Sequence, residues 1–141
     1  MSESPTPSDH GRIAGSDAIT LAVPASAAYL RHIRVLAATV ADDLGFAVDT
    51  IESLRVAVDE LCALAIADAD VGATLEVTFR GSGGAVVLEG SCGPVTDDPD
   101  IDPIAEQLLR SGSSSHELRR DGDACRFSLR APRPSPHRLT P

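Results

Sequence analysis

At Asp70-Val71-Gly72 the apolar residues change period, and that change constrains the fold more than any other feature of the chain. Upstream, Tyr29, Ile33, Leu36, Val40 and Leu44 recur every three or four residues, and Ile51, Leu54, Val58, Leu61 and Ala65 do the same. Downstream, Leu75, Val77 and Phe79 alternate with Thr74, Glu76, Thr78 and Arg80. The first spacing draws one apolar stripe along a helix, and the second draws one apolar face on a strand. Two amphipathic helices followed by half-buried strands predict helices laid on a sheet, an α+β architecture.

The remaining punctuation completes that outline. Ile19, Leu21 and Val23 alternate with Thr20 and Ala22 and read as a strand stopped by Pro24. Ser26 is the expected N-cap of the first helix, and Gly45 its stop. Asp49-Thr50-Ile51-Glu52 reads as a capping box opening a second helix that runs to about Ala69. Gly81-Ser82-Gly83-Gly84 predicts a hairpin turn, with Ala85 to Glu89 as the returning strand. Gly93 to Asp100 is rich in Pro and Asp and reads as a loop. Ile101 to Arg110 fits a short helix broken by Gly112 to Ser115. Glu117 to Arg120 fits an edge strand, and Cys125, Phe127 and Leu129 alternate with Arg126, Ser128 and Arg130 as the last strand. The expected order is β-α-α-β-β-α-β-β, a two-layer sandwich in which helices cover one face of a mixed, mostly antiparallel sheet. Residues 1–16 and 132–141 carry mostly Ser, Pro, Gly and polar side chains and are expected to be flexible tails. One domain, 17–131, lies between them, long enough for a sizeable core.

Composition narrows the chemistry. Aromatic residues are 3% of the chain, so the core is built from aliphatic side chains and a base-stacking surface is not expected. The net charge of -9 argues against nucleic-acid binding. All 12 basic residues are Arg, which removes a P-loop lysine, Schiff-base chemistry and a lysine general base. Cys62, Cys92 and Cys125 lack the short spacing of a zinc site and the even number of a disulfide framework, and are expected to be buried thiols. No stretch has the apolar length of a membrane span, and the chain is expected to be cytoplasmic. His10, His32, His116 and His137 are scattered without a partner at catalytic spacing. Asp97, Asp98, Asp100 and Asp102 lack the order of a calcium loop and read as a solvated acidic loop.

The run from Glu52 to Ile66, with Asp59-Glu60 at its centre, resembles the N-box helix of RsbW-like anti-sigma-factor serine kinases. These belong to the gyrase and histidine-kinase ATPase superfamily, the Bergerat fold. The resemblance covers about residues 17–131 and takes in the strand Ile19 to Pro24 and the helix holding His32-Ile33-Arg34-Val35-Leu36. It implies a regulator that holds a sigma factor away from RNA polymerase. Such a regulator uses Mg-ATP to phosphorylate a serine on a small STAS-type antagonist, and usually pairs as a homodimer.

The resemblance also assigns residues. The family's helix carries Glu-x-x-x-Asn, the Glu as general base and the Asn as a magnesium ligand. Glu60 matches the base, but Leu64 stands at the Asn position and offers no oxygen to a hard cation. The Asp-x-Gly element that binds adenine corresponds to Ser91-Cys92-Gly93, where Ser91 keeps an acceptor and Gly93 the expected turn. The family's long lid and second Gly-rich box have no counterpart in Pro94 to Glu106, whose acids would repel a triphosphate. Arg34 aligns with a basic residue that contacts sigma factor and antagonist, and Arg31 shares its face. The leading expectation is a binding regulator with weakened or lost ATP binding. Two alternatives are a working Mg-ATP-dependent serine kinase with Glu60 as base, and a scaffold for another protein partner.

Overall fold

In a computed structural model, which describes residues 17–134, the chain folds in the expected order. The elements are β1 (Ala18–Pro24), a 3-10 turn (Ala27–Tyr29), α1 (Leu30–Asp43), α2 (Val48–Ile66), β2 (Ala69–Ser82), β3 (Ala85–Val95), α3 (Pro103–Gly112), β4 (Ser115–Asp121) and β5 (Ala124–Pro132). The sheet runs β1-β2-β3-β5-β4, and every ladder in it is antiparallel rather than mixed. The sequence leaves strand direction open, because the link through α3 is long enough for either sense; the return through β4 makes β5 run against β3.

The register explains why one face is covered. Leu75 pairs with Cys92 and Cys92 with Cys125; Phe79 pairs with Leu88 and Leu88 with Leu129. All six are buried, so these rows form the floor of the core. The rows between them, such as Glu76–Ser91–Arg126–Arg119, stay at the surface. The helices lie on the buried rows, and α2 supplies Leu54, Val58, Leu61 and Ala65 to the core as its spacing predicts. At about 25 cal/mol per Å2 of apolar surface removed from water, such burial is the main force holding the layers together.

Several local expectations change. On α1 the buried stripe is Leu30, Ile33, Ala37, Val40 and Ala41, turned away from the expected one, with Tyr29 exposed and Leu36 half-buried. The alanines take the inner positions because a methyl group lets the helix approach its neighbours closely. Ser26 caps the 3-10 turn, its Oγ accepting from the Ala28 N–H at 3.4 Å, and α1 follows directly. The capping box does not form: α2 starts at Val48 with Ala47 as N-cap, and Asp49 accepts the Thr50 N–H instead. That helix ends at Ile66, and β2 already begins at Ala69 through an irregular stretch before Thr74. Gly83 and Gly84, with φ of 60° and 81°, form the hairpin turn between Ser82 and Ala85, which suits a two-residue connection. β3 runs on to Val95 and α3 to Gly112, both past their expected ends.

The expected N-terminal tail, 1–16, lies outside the described residues, as does 135–141. The remainder of the C-terminal one is partly structured: Pro132 closes β5, and the Arg133 N–H donates to Gly84 O at 3.3 Å. Among the described residues, no helix is long and apolar enough to cross a membrane.

Candidate functional site

The residues singled out in the sequence fall in three places. Arg34 and Arg31 lie on α1. Arg34 is half-exposed and reaches across to α2, where its Nη1 donates to Asp59 Oδ1 at 2.6 Å. Arg31 is exposed. The Arg34–Asp59 pair bridges the outer surface of the two helices, so the guanidinium is held in one place while part of it stays open to a partner. A half-exposed pair of this kind contributes little to stability, about 0–1 kcal/mol.

Glu60 directly follows Asp59 but lies on another side of α2, 100° further round. It is half-buried, between Ala57, which is fully buried, and Leu64, which packs against the core. No hydrogen bond or ion pair engages it among the described residues. Leu64 lies one turn further on the same side, so the magnesium position of the resembled family is filled by a side chain committed to the core.

Ser91 and Gly93 do not join Glu60. Ser91 stands on the uncovered sheet face between Glu76 and Arg126, while its neighbour Cys92 points into the core. The helices pack on the opposite face, so the sheet separates the Ser91 hydroxyl from Glu60. Gly93 is not in a turn but inside β3, opposite Thr74. The expected turn is absent because Ser91 to Val95 continues the ladder. Three cavities of about 290, 320 and 370 Å3 are lined by described residues, and neither Glu60 nor Ser91 borders any of them. No group of three or more His, Cys, Asp or Glu side chains among the described residues is arranged to hold a metal ion.

The sequence gives no hint of two further arrangements. Cys92 and Cys125 are direct cross-strand partners, a matter of register that spacing cannot reveal. All three thiols are buried, as expected. Burial pushes the Cys62 and Cys92 thiols up, and Cys125 up to about 11, which disfavours the thiolate form that would react.

The second arrangement ties α3 to β4. Asp102 caps α3 by accepting the Ala105 N–H at 2.8 Å, and Glu106 one turn on accepts Arg110 Nε at 3.0 Å and meets His116 Nε2 at 3.2 Å. Arg110 first, and then His116, hold the Glu106 carboxyl below its ordinary value of 4.5. A depressed carboxylate stabilises the fold above its unfolded pKa, and the gain is lost as pH falls through the folded one. Thermal unfolding of the wild type and Glu106→Gln followed from pH 7 to pH 3 checks this. The wild type is expected to be the more stable above about pH 4.5, the gap closing below it. A constant gap would contradict the assignment.

Comparison with models of protein families finds no match to the chain, and neither does comparison with curated proteins.

Proposed function

We propose that this protein is an anti-sigma-factor-like regulator with the histidine-kinase-like ATPase fold. It would act through protein contacts made by the outer surface of α1 and α2, without dependence on nucleotide. The observation that carries this reading is the placement of Arg34, bridged to Asp59 and still half-exposed beside Arg31. A guanidinium already fixed by a carboxylate loses little entropy on meeting a second acceptor, and such arginines are frequent hot spots of interfaces. The order of elements supports the fold, and the separation of Ser91 from Glu60 by the sheet supports loss of nucleotide dependence. The partner is a sigma factor, released by a STAS-type antagonist that competes for the same surface.

The test is co-purification of a sigma factor from source cells with the full chain, followed by affinity measurement. Arg34→Glu is expected to weaken binding roughly tenfold or more. The swap of Arg34→Asp with Asp59→Arg restores the bridge but moves the cation, so it is expected to keep the stability and still lose the partner. Full binding by the swapped protein would remove Arg34 from the interface. Retention of no sigma factor by the wild type would overturn the reading.

A further inference from the structure

The solvated face of the sheet holds the cavity of about 320 Å3, bounded by Glu89 on β3, Arg126 and Ser128 on β5, and Glu117 and Arg119 on β4, with Gly90 also lining it. It opens away from the helices, because its polar residues alternate along the strands with Leu88, Phe127 and Leu129, which are buried. Within it the charges are sorted by row. Arg126 and Arg119 stand directly opposite each other across the β5–β4 ladder. Two residues along, Ser128 stands between Glu89 on one side and Glu117 on the other.

Rows of one sign are an unfavourable way to place charge. Like charges facing each other across a ladder destabilise the pair, whereas opposite charges there would support it. Acids on the same face relieve the two arginines only in part: Arg119 Nε donates to Glu117 Oε1 at 2.9 Å, and Arg126 Nε to Asp121 Oδ2 at 2.9 Å. Both guanidiniums remain more than half exposed, and so do the carboxylates of Glu89 and Glu117. Ser128 has the shortest side chain of the five, so the space between the two glutamates stays open. A guanidinium pair at one end and a carboxylate pair at the other make this hollow the complement of a dipolar molecule.

We propose that this hollow binds a free dipeptide, its carboxylate between Arg119 and Arg126 and its ammonium between Glu89 and Glu117. The length fits: same-face residues two apart on an antiparallel strand are about 7 Å apart, and two residues of extended chain span about 7 Å. The charges fit as well. A simple anion would meet the two glutamates and a simple cation the two arginines, whereas a zwitterion laid along the strands satisfies both rows. Guanidinium is the side-chain group best shaped to hold both oxygens of a carboxylate. The cavity is at the small end of ligand pockets, which suits a dipeptide rather than a longer chain. The site lies across the sheet from the α1–α2 surface, so it is independent of the proposed sigma-factor contact.

An amide chemical-shift titration of the full chain with L-alanyl-L-alanine at pH 7, where both termini of the dipeptide are mostly charged, tests it. Saturable shifts centred on Glu89, Arg126 and Ser128 are expected at millimolar dipeptide. N-acetyl-alanyl-alanine lacks the ammonium and alanyl-alanine amide lacks the carboxylate. Each is expected to bind roughly tenfold more weakly or worse, the loss of one charge-assisted contact. Arg126→Gln is expected to weaken the dipeptide by the same factor, and Ser128→Leu to abolish its binding by filling the hollow, with unchanged far-UV spectra. Arg126→Gln decides the matter if the leucine variant does not fold. The absence of saturable shifts in the wild type overturns the proposal. So does binding of either blocked peptide as tightly as the free one, and so does binding indifferent to every variant that folds.

Discussion

Gly112→Ala is expected to cost about 3 kcal/mol of folding stability, at the upper end of what overpacking does. A Cβ at this position would stand 2.1 Å from the carbonyl oxygen of Ser53 and 2.7 Å from the Ala57 methyl. Both belong to α2, the first to its backbone, so no flexible side chain can give way. The last turn of α3 would have to retreat, loosening Leu109, which is fully buried against the same helix layer. Urea denaturation checks this: the midpoint is expected to fall with the slope unchanged, as for a loss of stability without a change in the surface exposed. An unchanged midpoint would mean that α3 does not seat against Ser53.

Gly90→Ala is the second large effect, at about 1–3 kcal/mol. A Cβ there would fall 2.3 Å from Cζ of Phe127 and 2.8 Å from the backbone oxygen of Glu76. The Phe127 ring lies over Gly90 from the neighbouring strand and is itself buried, so it has nowhere to go. Combining Gly90→Ala with Phe127→Leu is expected to recover part of the loss, because the smaller side chain vacates the contested space. The two changes would then fail to add, as contacting residues do. Strict additivity of the two in thermal unfolding would contradict the stacking of Phe127 on Gly90.

These contacts mark the limit of what the sequence reveals. Leu75, Val77 and Phe79 announce both a strand and its buried face, because alternation is local and a period of two has one interpretation. The α2 stripe is equally plain, since Leu54, Val58 and Leu61 are large and leave no rival face. The α1 stripe misleads for the opposite reason: its inner positions include Ala37 and Ala41, while Tyr29 and Leu36 stand to the side. Apolar size alone cannot tell a close helix approach from an exposed flank.

The candidate site was legible only in part. Glu60 and Leu64 share one side of α2 because their i,i+4 spacing requires it. Where Ser91 stands depends on the register of β3 against β2 and β5, and a shift of one residue would have turned it inward. Nothing near Ser91 in the chain fixes that parity; the Gly83-Gly84 turn some seven residues earlier does. Asp59 as the partner of Arg34 was equally out of reach, since it depends on how α1 crosses α2.

The proposed regulator makes its protein contacts without nucleotide. Titration calorimetry of ATP and of ADP into the purified full chain, with and without magnesium, tests it most directly. No binding heat is expected at millimolar nucleotide, and no difference on adding magnesium. Magnesium-dependent binding that weakens in Glu60→Gln would contradict it and place a working nucleotide site on α2.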